Sequence, residues 1–291
     1  MKVKAALSAG FCYGVERAVK TVYEETEKGR KIYTYGPIVH NDLVVEELHE
    51  KGVSVIRDRD ELMKKCEDGS LKGSTVIIRA HGIGDDEMKI LEEQENVRII
   101  DATCPFVKRI HTIVKEAYAA GNDIVITGDR EHPEVRGILG CIENDAIVIS
   151  STEEALKIAQ TNSSNCITIV SQTTFNAQKF KEIVEIFVNK LYITNVVNTI
   201  CSATQTRQQE ARALSAECDV MLVIGSSGSS NTMKLFDICK SLCRVTYLIQ
   251  NLEELKKVTI TNSVRCVGIT AGASTPKNII EEVLDYVRTQ F

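Results

Sequence analysis

Along this 291-residue chain, short apolar runs alternate with longer stretches whose apolar residues recur at helical spacing. Val3–Leu7, Val97–Ile100 and Val196–Ile200 each read as a strand running into a cysteine, at Cys12, Cys104 and Cys201. A helix is predicted behind each cysteine. After Cys12 the apolar stripe is Val15, Ala18, Val19, Val22 and Tyr23; after Cys104 it is Val107, Ile110, Val114, Ala117 and Tyr118, stopping near Gly121. The third helix, around Ala211, Leu214 and Cys218, has the same length but a weaker stripe. Each helix leads to a second strand closed by a glycine: Lys31–Gly36, Asp123–Gly128 and Val220–Gly225.

Polar motifs follow these strands in register. His40, His132 and Ser229 each lie 28 residues beyond their cysteine. His81, in Ala80-His81-Gly82, and Thr173, in Gln172-Thr173-Thr174, each lie 69 residues beyond theirs, and the third copy reaches Ala271-Gly272-Ala273-Ser274 at 70 to 73. Self-similarity at a period of about 95 residues marks repeated supersecondary units. The expected fold is α/β: three similar small domains with parallel sheets, spanning residues 1–96, 97–194 and 195–291. Ligands of such sheets bind outside the carboxyl ends of the strands, where every one of these motifs sits. Three copies around a pseudo-threefold axis would aim all of them at one central cluster cavity.

Composition narrows the chemistry. With 43% hydrophobic and 26% charged residues the chain can bury a sizeable core. A formal net charge of -5 gives no basic footprint, so nucleic acid is not an expected partner. No apolar run approaches the roughly 18–20 residues of a bilayer span, and the apolar stretch behind Lys2 and Lys4 is too short for a signal peptide. A cytoplasmic protein is expected. Ten scattered cysteines with no C-x-x-C pair argue against a disulfide scaffold, a zinc ribbon and a thioredoxin-type motif. No nucleotide loop is present either: Gly225-Ser-Ser-Gly228 and Gly82-Ile-Gly84 both fall short of G-x-G-x-x-G, so electrons would come from outside.

Cys12, Cys104 and Cys201 therefore stand out. A thiolate between a strand and a helix feels the positive end of the helix dipole, which lowers its pKa. Three soft thiolates meeting on an axis suit zinc or an iron–sulfur cluster. Clusters are usually held by four cysteines; with three, one iron stays open to bind a substrate oxygen as a Lewis acid. The other seven cysteines (Cys66, Cys141, Cys166, Cys218, Cys239, Cys243 and Cys266) fall out of register and read as core or surface thiols. Of five histidines, His40, His81 and His132 lie in the motifs. With Ser229, Ser230, Asn231 and Ser274 they form a candidate polydentate cage for phosphate oxygens. His49 and His111, inside helical stretches, read as structural. Glu134, in His132-Pro133-Glu134, is the one evident proton donor or acceptor, and Thr173 offers a hydroxyl in a relay with it.

These motifs resemble those of the 4-hydroxy-3-methylbut-2-enyl diphosphate reductase family. The matching pieces run in order along nearly the whole chain: Gly10-Phe11-Cys12, Val39-His40-Asn41, Ala80-His81-Gly82, Asp101-Ala-Thr-Cys104-Pro105 and His132-Pro-Glu134-Val135 in the first half. Gln172-Thr-Thr174, Ile200-Cys201, Ser229-Ser-Asn231 and Thr270-Ala-Gly-Ala-Ser274 complete the set. The resemblance implies a 4Fe–4S cluster on Cys12, Cys104 and Cys201. It implies a diphosphate held by His40, His81, His132, Ser229, Ser230, Asn231 and Ser274, with Thr173 at its edge, and Glu134 as proton source assisted by Thr173. The family's reaction is reductive dehydroxylation of an allylic alcohol, giving isopentenyl and dimethylallyl diphosphates, with ferredoxin or flavodoxin as electron donor.

Two departures accompany the likeness. Tyr13 stands where a small residue often follows the first cysteine and is expected to alter the cavity wall. The chain ends at Phe291, soon after the last helix, without the tail some relatives carry, so any closure is expected from domain movement. Three other readings share parts of the pattern. A threefold iron–sulfur dehydratase such as quinolinate synthase would turn over without a reductant. A cluster-bearing sensor or phosphate-binding module would have no turnover to lose, and a zinc protein would be colourless and indifferent to oxygen.

Overall fold

The fold is described from a computed structural model, which covers residues 1–143, 145–160, 166–190, 194–261 and 263–290. Strands and helices alternate without exception, and the same eight-element string is spelled three times. The first string is β1 (Lys2–Ala5), α1 (Tyr13–Thr26), β2 (Ile32–Tyr35), α2 (Asp42–Glu50), β3 (Val53–Ile56), α3 (Arg59–Glu67), β4 (Thr75–Ile78) and α4 (Asp85–Glu92). The second is β5 (Arg98–Asp101), α5 (Pro105–Ala119), β6 (Asp123–Thr127), α6 (Pro133–Leu139), β7 (Ile147–Ile149), α7 (Thr152–Ile158), β8 (Ile167–Ser171) and α8 (Ala177–Lys190). The third is β9 (Thr194–Val196), α9 (Ser202–Glu217), β10 (Val220–Ile224), α10 (Ser230–Leu242), β11 (Val245–Ile249), α11 (Leu252–Leu255), β12 (Cys266–Ala271) and α12 (Lys277–Gln290).

The described strands form three four-stranded sheets, every pairing parallel, in the orders β3-β2-β4-β5, β7-β6-β8-β9 and β11-β10-β12-β1. The central strands β4, β8, β10 and β12 are buried along their length, as a sheet covered on both faces requires. The strand entering each cysteine does not join the sheet that follows it. β5 pairs with β4 and β9 with β8, each closing the sheet of the preceding string, and β1 closes the sheet of the last. The divisions expected at residues 96 and 194 thus fall just ahead of strands whose hydrogen bonds lie backward along the chain.

By density of packing the chain divides into two units. One holds Met1–Glu16, Val39–Val44 and Cys201–Phe291, with the sheet β11-β10-β12-β1; the other holds Arg17–Ile38 and Val45–Ile200, with the remaining two sheets. In the first, Leu222, Ile224, Ile269 and Val283 centre one core. A second core there contains Cys218, Cys239, Cys243 and Cys266, four of the out-of-register thiols acting as small apolar groups. In the second unit, Val125, Ile169 and Phe187 centre one core and Ile78, Leu62 and Leu91 another. All ten cysteines are thiols outside any disulfide. No helix among the described residues is long and apolar enough to cross a membrane.

One predicted strand is shorter than its apolar run. Val196–Ile200 was expected as a strand, but β9 ends at Val196. Val197 N still donates to Ile169 O at 2.9 Å, and beyond it side chains enter the bonding. Asn198 Oδ1 accepts from Ile200 N at 3.1 Å, and Thr199 Oγ1 accepts from Ser171 N at 2.7 Å and donates to Ser171 O at 2.5 Å.

Candidate active site

Each motif found by spacing lies where a strand has ended and a helix begins. Cys104 and Cys201 are the N-cap residues of α5 and α9, and Cys12 immediately precedes α1, with its carbonyl accepting the first helical bond from Glu16 N at 2.9 Å. All three are half-buried. Orphan amide groups and the helix dipole at these ends favour an anionic sulfur. At Cys201 the preference is visible: the sulfur accepts from Thr204 N at 3.4 Å and lies 3.0 Å from Thr204 Oγ1. Pro105, at the first position of α5, gives up no needed donor there.

In the smaller unit, Cys12 and Cys201 share a neighbour. The Arg207 side chain, on α9, is 4% exposed; Nη2 donates to Gly10 O at 2.7 Å and Nη1 to Ala203 O at 3.2 Å. Burial lowers its pKa, and negative charge on Cys12, Cys201 and Glu210 would pull it back up. Gly10 itself has φ of +105°, a conformation that disfavours other residues, and an added Cβ would press on Ile280 of α12 at 3.1 Å. The loop carrying Cys12 is thereby held against the turn that carries Ser274. That turn in turn abuts α10: a Cβ on Gly272 would lie 2.0 Å from Thr232 Oγ1.

Ser229 caps α10 by accepting from Thr232 N at 3.4 Å, and Ser230 and Asn231 form the first turn of that helix. Ser274 and Asn231 are 6% and 5% exposed, yet Ser274 Oγ and Asn231 Nδ2 have no hydrogen-bond partner among the described residues. Buried polar atoms are nearly always paired, so two orphans, one in the first turn of α10 and one in the turn after β12 that abuts that helix, mark a place for an anionic ligand. His40 is half-buried on the loop behind β2, and the next residue, Asn41, caps α2 by accepting from Val44 N at 3.2 Å.

The larger unit holds His81, Cys104, His132, Glu134 and Thr173. Cys104 N donates to Ala80 O at 3.0 Å, tying the cysteine loop to the His81 turn. The His81 and His132 rings meet edge to face, with centroids 5.0 Å apart and planes at 82°. His132 caps α6, and its Nδ1 accepts from Glu134 N at 3.1 Å. Accepting at Nδ1 places the proton of a neutral ring on Nε2, so His132 can donate outward without becoming an imidazolium. Glu134 is 1% exposed, and both its oxygens are engaged: Thr173 N donates to Oε1 at 2.6 Å and Thr173 Oγ1 to Oε2 at 2.6 Å. Burial pushes the carboxyl up to about 7 against the opposing pull of these two bonds. A group poised there can release or accept a proton near neutral pH.

One expectation resolves differently. Tyr13, expected in a cavity wall, is 67% exposed at the start of α1. His111, read as structural, packs beneath the His81 turn, where a Cβ on Gly82 would meet its Cε1 at 3.2 Å, and burial drives its pKa down to about 4. It is a neutral spacer. Arg207 was missed altogether. Its signal lay in the weak third stripe: Thr204, Arg207, Gln208, Ala211 and Ser215 keep helical spacing and are all buried, but are mostly polar.

The donor set can be tested against the group its chemistry suggests. Three half-buried thiols outside any disulfide stand at helix N-termini, and a buried guanidinium lies beside two of them with no carboxylate ion pair among the described residues. Glu210, the nearest acid, spends Oε2 on Ser8 N at 2.9 Å and Ser8 Oγ at 2.6 Å. A thiolate-ligated, net-negative metal group fits these residues.

Residues 3–288 match the family model described as LytB protein. The 4-hydroxy-3-methylbut-2-enyl diphosphate reductase of Caldanaerobacter subterraneus subsp. tengcongensis is 45% identical over 291 residues, covering 99% of this chain and 97% of that one. A solved structure of (E)-4-hydroxy-3-methyl-but-2-enyl diphosphate reductase, the terminal enzyme of the non-mevalonate pathway, is 37% identical, with 99% of each chain covered and a TM-score of 0.68. The Plasmodium falciparum E-1-hydroxy-2-methyl-but-2-enyl-4-diphosphate reductase superposes at a TM-score of 0.87 with 28% identity, covering 99% of this chain and 87% of that one. With its three parallel sheets, its cysteines at helix N-termini and a family match that runs almost from end to end, the chain belongs to the LytB family of diphosphate reductases.

Proposed function

We propose that this chain, an oxidoreductase by family, carries out the reductive dehydroxylation of 4-hydroxy-3-methylbut-2-enyl diphosphate to isopentenyl and dimethylallyl diphosphates. The observation that carries the reading is Glu134: a fully buried carboxyl held by Thr173, with its pKa near neutrality, next to a histidine that presents Nε2–H. Cys12, Cys104 and Cys201, one thiol from each repeat, would hold a 4Fe–4S cluster. Bound there, the cluster supplies electrons one at a time and an iron free of protein ligation that acts as a Lewis acid.

The chain's own residues do the rest. His40, His81 and His132 donate to diphosphate oxygens, joined by Ser229, Ser230, Asn231 and Ser274; the orphaned Asn231 Nδ2 and Ser274 Oγ support the assignment. Anchoring the diphosphate fixes where the allylic hydroxyl lies, which is most of what orientation contributes to rate. Glu134, protonated at its raised pKa, gives a proton to the departing hydroxyl so that it leaves as water, and Thr173 keeps the carboxyl aimed and relays the proton's replacement. Two electrons arrive singly from ferredoxin or flavodoxin, a second proton goes to one or the other end of the allylic fragment to give the isopentenyl or the dimethylallyl product, and the enzyme works in the cytoplasm.

The test is anaerobic. Purified protein should be brown, contain iron and sulfide, and consume the allylic diphosphate with reduced viologen. Glu134→Gln should keep the colour and lose most of the activity, by about 100-fold or more as expected of a general acid, whereas Cys104→Ser should lose both. A colourless preparation with full activity would refute the reading.

A further inference from the structure

Two arginines that the mechanism leaves unused occupy matching places. Arg17 lies five residues beyond Cys12 on α1, and Arg207 six residues beyond Cys201 on α9. Arg17 Nη2 donates to Ala102 O at 2.8 Å and Thr103 O at 2.6 Å, the two carbonyls ahead of Cys104. Arg207 Nη2 donates to Gly10 O, two residues ahead of Cys12. Each therefore reaches from the helix behind one cysteine to the loop in front of another. In both, Nε is buried without a partner. At the third junction Thr199, in the loop ahead of Cys201, exchanges two bonds with the backbone of Ser171 at the end of β8, so the tie there runs to a strand.

Arg207 differs from Arg17 in what surrounds it. It stands in the second turn of α9, where the helix dipole opposes a cation, and it is almost wholly desolvated. The groups that offset this are the thiols of Cys12 and Cys201 and the already engaged Glu210. A buried cation in that setting needs negative charge nearby. A 4Fe–4S core carrying two positive charges and three thiolates has a net charge of about −1, and one-electron reduction makes it about −2.

We propose that Arg207 is a positioning residue for the cluster: it clamps the Cys12 loop to the Cys201 helix and, as the buried cation between those two ligands, favours the reduced state. Arg17, only partly buried, is its counterpart at the Cys104 loop, which it holds through Ala102 O and Thr103 O. The inference rests on the cluster reading above, and its test has readouts other than turnover.

Holoenzyme would be purified anaerobically and examined for iron and sulfide content, release of iron to a chelator, and midpoint potential by spectroscopically monitored redox titration. Arg207→Met removes charge and donors together. It should release iron about tenfold faster and lower the reduced-to-oxidised ratio at a fixed potential about tenfold, which for a one-electron couple is a fall of about 59 mV. Arg207→Lys restores the charge but not the two-armed span, so its potential should return to near the native value while iron release stays fast. Should Arg207→Met fail to fold, Arg207→Gln makes the same charge test. Arg17→Met should speed iron release and leave the potential unmoved. A neutral variant with native potential, or a lysine variant displaced as far as the neutral ones, would overturn the electrostatic role. Native iron release in every Arg207 variant would overturn the clamp. Native protein without iron or sulfide would instead sink the cluster reading itself.

Discussion

At the scale of single residues, Glu134 is the clearest departure from what stability alone would select. Its carboxyl titrates at about 7 when folded against an ordinary 4.5, so the folded protein binds the proton more tightly than the unfolded chain. The contribution to stability is complete below pH 4.5 and is lost as pH rises through 7, by about 3 kcal/mol at most. Glu134→Gln abolishes that dependence. Buried His111, with its pKa down at about 4, makes stability rise with pH up to about 6.5 in both proteins, so the Glu134 contribution is read as a difference. The native protein should lose stability relative to the variant as pH rises from 5 to 8. Parallel pH profiles in thermal melts would show that Glu134 is not the buried acid described. His132 carries a similar lesson: its place beyond β6 was legible from spacing, but the tautomer that would make it a donor is set by a backbone amide two residues on.

Among elements, the strands and amphipathic helices were readable because their apolar spacing is set by pleat and turn. Helix α9 escaped that logic, since its buried face is built of Thr204, Arg207, Gln208 and Ser215. A polar face that goes inward produces no hydrophobic period, and only a partner such as Gly10 O reveals it. Contacts between helix ends were equally hidden. Gly84, the N-cap of α4, lies against Gly140, the C-cap of α6, with Asp85 N donating to Gly140 O at 3.2 Å, and a Cβ on Gly84 would sit 2.8 Å from Gly140 Cα. The φ of Gly84 is −73°, so alanine meets a wall there and no backbone strain. Gly84→Ala should destabilise by about 1–3 kcal/mol, the usual range for overpacking, seen as a lower urea midpoint with an unchanged slope.

On the scale of the whole molecule, the threefold repeat and the candidate site residues were legible because spacing survives where sequence identity between copies does not. The pairing of strands was not: nothing in the apolar pattern of β1, β5 or β9 says which neighbour each will join. β1 lines up with β12 from Lys2 opposite Cys266 to Ala5 opposite Ile269, covering one edge of a strand buried along its whole length. Removing residues 1–6 would expose that edge, and an apolar edge is an invitation to pair with another chain. The truncated protein should melt at lower temperature and scatter light on concentration. A truncation that stayed monomeric and equally stable would show that β12 does not depend on β1.

The backward-pairing strands also dictate how the protein can be taken apart. A fragment ended at residue 96 leaves β4 without β5, and one begun at residue 97 carries β5 away from its only partner. The cut that keeps the sheet whole falls between β5 and α5, at Cys104, and the corresponding cut between β9 and α9 falls at Cys201. Excising a complete sheet thus severs each of these cysteines from either its strand or its helix. The thiols belong to the joints, and no separately expressed third of the chain could reproduce their setting.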